Sequence, residues 1–276
     1  LDRIIDSGFN QALRFASWPP LLLMILLAIF LVLPVFAVIL LLGGTLAGFT
    51  YLLLAVVVLF FSLGPHDIGE DVDDYCEALE TETEEDIVQA AKAIVEGEVP
   101  AEPLERIRCV EESVCVQANN RLFAVIFWFM LLGPLAAWAY RATDLIRRRA
   151  VFNAAREEND DADAERIRDA AVTLHGWFAW IPARLTAVGY ATAGHFDEAI
   201  AAMRAPAEQA ALSLSEQNVK LLARVGVAAL ALQQDPEESM TARGVRGAAA
   251  ANRLVFRLLL IWAVIISAMT LYGLTQ

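Results

Sequence analysis

Four apolar stretches dominate this chain, and their length decides what it can fold into. They run from about Pro20 to Leu42, Thr45 to Leu63, Leu122 to Tyr140 and Leu254 to Leu274. Each is close to the roughly 20 helical residues that cross a bilayer core. None holds an acidic residue, and Arg257, near the start of the fourth, has a stem long enough to reach the interface. A hydrophobic content of 58% supports a membrane class. No run of residues alternates in polarity as a half-buried strand would. The expected fold class is all-α: an integral membrane bundle with four transmembrane helices, an interfacial or re-entrant helix, and amphipathic helices in the polar loops.

Details inside the spans refine this. Only Gly43 and Gly44 separate the first two, which predicts a tight hairpin. Pro34 and Pro134 each remove a backbone donor and should kink the first and third spans. Gly44 and Gly48 have the small-x-x-x-small spacing that permits close helix approach, or are ordinary membrane-helix glycines. A fifth stretch, residues 177–193, is apolar but interrupted by Pro182 and Arg184. With Trp177 and Trp180 it reads as a helix lying on the membrane or re-entering it.

The polar regions divide the chain into segments 1–64, 65–121, 122–141, 142–253 and 254–276. Val72, Tyr75 and Leu79 fall at helical spacing, and Thr83 with Asp86 resembles a helix start. Ile87, Ala90, Ala91, Ile94 and Val95 predict a second short helix, ended by Gly97 and Pro100. The third span should continue through Ile146, and residues 159–163 form an acidic turn. Helices are expected over Ala164–Leu174, Phe196–Met203 and Leu214–Leu232, the last ended by Asp235-Pro236.

The net charge of −13 hides a partition. Residues 64–121 carry 17 acidic and 4 basic side chains, whereas residues 141–253 carry 15 and 14. An acidic balance argues against nucleic acid as a partner. Arg141, Arg147, Arg148, Arg149 and Arg156 follow the third span, and Arg243, Arg246 and Arg253 precede the fourth. Positive flanks stay in the cytoplasm, which places 141–253 inside and the acidic loop outside. Both ends of the chain then lie outside, a difficulty that an upstream apolar segment would remove. The chain opens on Leu1 rather than methionine, which suggests a processed or trimmed terminus. Residues 1–17 are amphipathic and charged, unlike a cleavable signal.

Chemistry is sparse. No phosphate loop, His-Glu-x-x-His or Gly-x-Ser-x-Gly motif occurs, and His66, His175 and His195 are scattered. Asp71, Asp73 and Asp74 suit a solvated helix face better than a cation site. Cys76, Cys109 and Cys115 give no zinc spacing and no even framework, although Cys109 and Cys115 would be free to pair in a periplasmic loop. No cofactor is identifiable, and no catalytic residue can be assigned.

Three polar clusters flank the apolar segments. They are residues 64–67, ending in Asp67; Asn119, Asn120 and Arg121, with Tyr140, Arg141, Thr143 and Asp144 at the far end of the third span; and Trp180 to Leu185. Arg184 is the most informative, because an arginine in an apolar helix must be paired or reach water. It is either a bidentate clamp for phosphate or carboxylate or a structural cation paired with Asp67 or Asp144. Asn119 and Asn120 are either polar glue or a cap, or a ligand contact. The candidate ligand site at the membrane edge is therefore Asp67, Asn119, Asn120, Arg121, Tyr140, Arg141, Asp144, Trp180 and Arg184.

These same stretches resemble the AmpE family. The matching motifs are Asn120-Arg-Leu-Phe-Ala-Val-Ile-Phe-Trp-Phe-x-x-Leu-Gly-Pro134 followed by Tyr140-Arg141, and Trp180-Ile-Pro-Ala-Arg-Leu-Thr-Ala-x-x-Tyr-Ala-x-x-Gly194. Phe61-Ser-Leu-Gly-Pro-x-Asp67 and Leu271-Tyr-Gly fit the same pattern, so the resemblance runs along nearly the whole chain. It implies a multi-pass bacterial inner-membrane protein, accessory or signalling in β-lactamase induction, encoded beside a peptidoglycan-recycling amidase. AmpE proteins are similar in turn to the cobalamin-biosynthesis membrane proteins CbiB and CobD, which join aminopropanol or its phosphate to cobyric acid through an amide. This sequence departs from those patterns. Ala179 stands where AmpE proteins usually have Asp, and Asn119 precedes Asn120 where the cobalamin proteins have an acid. His66-Asp67 replaces their Arg-Asp, and only Thr143-Asp144 survives of an Asn-Thr-x-Asp-Ser stretch.

Three readings follow. The first is a non-catalytic sensor or accessory protein of cell-wall stress. The second is a membrane enzyme forming an amide on an anionic substrate. The third is a structural subunit whose acidic loop docks a membrane-protein partner. Besides the lipid bilayer, the partners these readings call for are an anionic small molecule and other membrane proteins.

Overall fold

The fold was read from a computed structural model, which describes residues 5–9, 18–43, 49–64, 67–81, 83–156, 162–205, 212–233, 235 and 237–272. Among these residues every regular element is a helix. In chain order they are α1 (Pro20–Gly43), α2 (Phe49–Leu63), α3 (Ile68–Thr81), α4 (Glu84–Ile94) and α5 (Pro103–Ala118). A π-helix, Asn119–Phe123, leads into α6 (Ala124–Leu132) and then α7 (Pro134–Arg156). The remaining helices are α8 (Ala162–Ala193), α9 (Phe196–Arg204), α10 (Leu214–Leu230) and α11 (Met240–Leu271). Residues 5–9 form a further helical segment.

Four helical stretches are long and apolar enough to cross a membrane: Pro20–Leu41, Tyr51–Thr81, Pro103–Leu132 and Met240–Leu271. Their outer faces carry large apolar side chains such as Phe30 and Leu33 on α1, Phe60 and Phe61 on α2, and Leu260 and Val264 on α11. A soluble protein rarely exposes such continuous apolar surface, whereas lipid solvates it. The chain is an all-α integral membrane protein.

The chain divides into two compact units, each built from separated segments. The first combines Leu1–Gly64, Ala124–Ile181 and Leu212–Glu216. In it α1 and α2 both pack on α7, and α6 packs on α7 and α2. Ile5, Met24, Leu27, Ile146, Ala171 and Leu174 share one core, while Ala124, Val125, Ala137, Tyr140 and Ala179 share another. The second unit combines Pro65–Phe123, Pro182–Ala211 and Gln217–Gln276. There α11 packs on α3 and α5. Gly244 of α11 lies against Leu79 and Ile107, Gly247 against Glu111 and Arg243, and Gly189 of α8 against Leu258. Small residues at these crossings let the backbones approach closely.

The third apolar stretch departs from the expected single kinked span, residues 122–140. Pro134 cannot continue the ladder, and Gly133, at φ 80°, adopts a left-handed conformation that ends α6 outright. The helix after the break runs through Ile146, as expected, and on to Arg156. By contrast α1 continues unbroken through Pro34, and α8 through Pro182. The apolar segment 177–193 is thereby the second half of one long helix that also takes in the expected helix Ala164–Leu174. Its outer stripe is Trp177, Ile181, Leu185 and Val188, and its inner face is Ala183, Ala187, Tyr190 and Ala191.

Pro182 explains one tertiary contact, and a second lies near Pro34. Pro182 has no N–H for the Phe178 carbonyl four residues back, and the Trp128 indole N–H donates to that oxygen at 3.1 Å. Trp138 donates to Leu31 O at 3.0 Å, one residue beyond the Phe30 carbonyl that Pro34 leaves without a donor.

The polar helices follow their apolar spacing. Val72 and Tyr75 of α3 are fully buried. Thr83 stands at the N-cap position of α4, where its hydroxyl donates to the Asp86 carboxylate at 2.5 Å and caps no backbone N–H. The helix gives way at Val95, followed by Gly97 at φ 138°. Helix α10 ends at Leu230, followed by Ala231 in the left-handed region, φ 45°. Helix α5 had no counterpart among the expected elements, although its start is well signalled: Glu102 accepts from Glu105 N at 2.6 Å and Pro103 occupies the first turn. Cys76, Cys109 and Cys115 are all free thiols. Cys109 and Cys115 lie six residues apart on this one helix, so the pairing that a periplasmic loop would have allowed does not occur. The Gly44–Gly48 motif, His66, the acidic turn at 159–161 and Pro236 fall outside the described residues.

One expectation is overturned. The acidic loop and the segment before the fourth span were placed on opposite sides of the membrane. Within the second unit Arg243 forms an ion pair with buried Glu111, and the Cys76 thiol approaches Val245 O at 3.9 Å. A bilayer cannot separate residues in contact, so α3, α5 and the start of α11 lie on one side.

Candidate functional site

The expected site residues fall into two sets, one in each unit. In the first unit Asp144 is the centre. Spacings of three and four residues on α7 bring Arg141, Arg147 and Arg148 to its carboxylate. Arg141 Nη1 and Arg148 Nε donate to Oδ2, each at 3.0 Å, and Arg147 Nη2 donates to Oδ1 at 2.8 Å. His175 Nε2 lies 3.5 Å from Oδ1, and its ring packs on Tyr140 at 5.3 Å. Asp144 is completely buried. Burial alone would raise its carboxyl, but Arg148, Arg147, His175 and Arg141 together hold it well below the usual carboxylate range. Gly64 at the end of α2 makes room for this cluster: a Cβ there would meet Arg141 Nη2 at 2.6 Å. Farther along α7, Arg149 grips Asp6 through two bonds of 2.5 and 2.6 Å. Trp180 instead lies on the exposed side of α8.

The second unit holds the other five residues, and their bonds are distributed. Asp67 Oδ1 accepts from Gly69 N at 3.1 Å, a turn that starts α3. Arg121 ties three elements together, donating to Asp71 at 2.7 Å, Ala93 O at 3.1 Å and Gln117 at 3.2 Å. Asn119 donates to Asn120 Oδ1 and accepts from Thr186, both at 3.0 Å. At the end of α5 the Asn119 N–H bonds Val116 O, and Cys115 O accepts from the Tyr190 hydroxyl at 2.7 Å. Arg184 donates to Asn218 of α10 at 2.9 Å. Arg184 and Thr186 are two residues apart, about 200° around a helix. Arg184 and the Asn119–Asn120 pair therefore engage different flanks of α8 and do not form a shared clamp. Arg184 finds Asn218, and Asp67 is engaged by its own turn.

This arrangement constrains the chemistry. Asp144 is ionised and surrounded by donors, which makes it a poor general base. Asn119 is occupied on both sides of its amide, whereas Asn120 uses its oxygen and keeps N–H groups with which to donate. Among the described residues no group of three or more His, Cys, Asp or Glu side chains is placed to hold a metal ion. The partners missed from sequence are Arg147, Arg148 and His175 around Asp144, and Thr186 and Asn218 in the second unit. The arginines were visible as an i±3, i±4 pattern about Asp144 but served only as an orientation signal. His175, Thr186 and Asn218 had no local signal at all.

A helical membrane protein with buried polar locks is thus the class that fold and side chains define. The family model for "Regulatory signalling modulator protein AmpE" matches residues 1–275. This chain belongs to the AmpE family, whose members are regulatory signalling modulators. It is also similar to the cobalamin biosynthesis protein CobD of Stutzerimonas stutzeri (strain A1501), at 28% identity over 153 residues. That alignment covers 55% of this chain and 48% of CobD, so the chain spans about half the length of this curated relative. No solved structure matches.

Proposed function

We propose that this chain works in the bacterial inner membrane as an accessory or sensor protein that links cell-wall stress to β-lactamase induction. The whole-length AmpE match carries the reading. The geometry supports it, because the conspicuous polar groups are engaged with one another: Asp144 with three arginines, Arg121 with Asp71, and Arg184 with Asn218. Such networks set how helices pack, and a regulator acts through packing. Membrane-protein partners would transmit the signal. An anionic or other hydrogen-bond-accepting small molecule would be met by the remaining N–H groups of Asn120. The test is β-lactamase induction by a β-lactam in a strain lacking its own copy. The chain should restore the wild-type induction curve. A deletion strain that induces normally would remove the reading.

The partial likeness to CobD keeps a second reading, amide formation on an anionic substrate. The saturation of Asp144 counts against it. Membranes containing the chain should form no amide from cobyric acid and aminopropanol or its phosphate, followed by mass spectrometry.

A further inference from the structure

We propose that Arg253 and Arg257 of α11 form a headgroup clamp for an anionic phospholipid, whose acyl chains run down the same face of the helix. The inference stands apart from the regulatory reading and lies wholly within the second unit.

Pairing gives the first argument. Helix α11 carries four arginines, all before its apolar part or just inside it. Arg243 is held by Glu111 and Arg246 by Glu238. Arg253 and Arg257 are exposed and make no ion pair or hydrogen bond with any of the described residues. Arg253 stands at the edge of the apolar part and Arg257 one turn inside it, where a guanidinium must be paired or reach water. Its long stem carries it toward the headgroups. The acceptor abundant at that level is lipid phosphate, which a guanidinium binds through two parallel N–H bonds. Side chains four apart on a helix are neighbours, with Cβ atoms about 5–6 Å from each other, so both guanidiniums can close on one phosphate.

The shape of the face gives the second argument. At 3.6 residues per turn, Arg253, Phe256, Arg257, Leu260 and Val264 fall within an arc of about 100°, and all five are exposed. Leu260 and Val264 lie about 4–5 Å and about 10 Å deeper than Arg257 along the axis, within the roughly 15 Å of hydrocarbon in one leaflet. An occupant of this face has to be anionic at the top and hydrocarbon below. That describes a phospholipid with a net negative headgroup, not a soluble anion. The opposite face is already committed. Leu254, Val255 and Leu258 are buried, with Leu258 against Gly189 of α8 and Leu254 against Gly194. This packing fixes the side of α11 on which the arginines stand.

Net charge makes the site distinguishable. At −13 the chain as a whole repels anionic lipid, so selective retention needs a local cationic site. A zwitterionic headgroup carries its own cation and leaves the two guanidiniums less to gain.

The experiment is lipid retention by the purified full chain in mild detergent, read by native mass spectrometry. Dioleoyl phosphatidylglycerol is titrated beside dioleoyl phosphatidylcholine, with glycerophosphoglycerol, the first headgroup without its chains, as competitor. The unsubstituted chain should retain phosphatidylglycerol in preference, and the competitor at equal concentration should not displace it. Arg257→Gln should weaken phosphatidylglycerol about fivefold, and Arg253→Gln with Arg257→Gln about 25-fold, with phosphatidylcholine unchanged. Arg108→Gln with Arg204→Gln removes the same charge from exposed positions on α5 and α9 and should change neither lipid. The single Arg257→Gln decides should the double variant fail to fold. Equal retention of the two lipids, or an undiminished preference after both Gln substitutions, would overturn the proposal and leave the arginines to an acidic group of another protein. Displacement by the chainless headgroup would overturn the lipid in favour of a soluble phosphate. An equal loss in the Arg108→Gln, Arg204→Gln chain would reduce the effect to bulk charge and overturn the clamp.

Discussion

The indole of Trp128 offers a measurable account of how this bundle tolerates a proline. Pro182 sits inside α8 and cannot donate to Phe178 O, and Trp128 Nε1 occupies that oxygen at 3.1 Å. Trp128→Phe keeps an aromatic ring beside Phe127 and Phe178 but removes the N–H. A buried carbonyl left without a donor costs about 1–3 kcal/mol, and interhelical hydrogen bonds in membranes average nearer 0.6. The expected loss is therefore about 1 kcal/mol, plus the packing lost with the smaller ring. The packing part is removed by a cycle. In a Pro182→Ala background the new Ala N–H can bond Phe178 O as in any helix, so Trp128→Phe should cost about 1 kcal/mol less there. Unfolding in detergent, in a background where Cys76 and Cys109 are replaced by Ser, followed with a fluorogenic maleimide that reacts as buried Cys115 becomes exposed, reports all four chains. Equal costs for Trp128→Phe in both backgrounds would refute the reasoning.

Asp144→Asn leaves buried Arg141 and the partly buried Arg147 and Arg148 without their shared carboxylate and should destabilise by about 3 kcal/mol in the same assay; a change under 1 kcal/mol would show that the arginines do not depend on it. Because Asp144 is held below its unfolded value near 3.9, its contribution is complete above that pH and fades as pH falls toward the lower folded value. The melting temperature should thus lose the Asp144-dependent part below about pH 4 and not between pH 8 and 5, a difference that Asp144→Asn abolishes. Gly64→Ala puts a side chain at φ 89° and against Arg141, so a loss of about 1–2 kcal/mol is expected, and full stability would remove the glycine argument. Arg121→Lys keeps the charge but cannot reproduce bonds to Asp71, Ala93 and Gln117; protease cleavage near residues 82–100 should accelerate severalfold, and an unchanged rate would contradict that role.

Much of the fold was legible because its spans are simple. Pro20–Leu42 and the apolar half of α11 are recognised by length alone, and α3 and α4 by Val72, Tyr75, Ile87 and Ile94 at helical spacing. Helix α5 was not seen because Ile107, Val110 and Val114 alternate with Arg106, Arg108, Glu111 and Glu112, and two of those charged residues are themselves buried. The break at Gly133 was expected only as a kink, since a proline in sequence does not say whether neighbours will restore the ladder. Trp128 does so at Pro182, while Gly133 lets the chain turn at Pro134. The candidate residues were singled out individually, but which of them meet depends on tertiary contacts such as Thr186 with Asn119. No spacing rule connects residues 67 positions apart.

The central claim is that this AmpE-family chain regulates through the packing of its helices, not through chemistry at its membrane-edge polar groups. The most direct measurement is β-lactamase induction in a strain carrying Asp144→Asn or Arg184→Ala as its only copy, read beside the amount of folded protein in the membrane. The account predicts that induction falls in proportion to folded protein for both variants. A variant that accumulates fully folded yet abolishes induction would contradict it and assign that side chain a direct role in binding or catalysis.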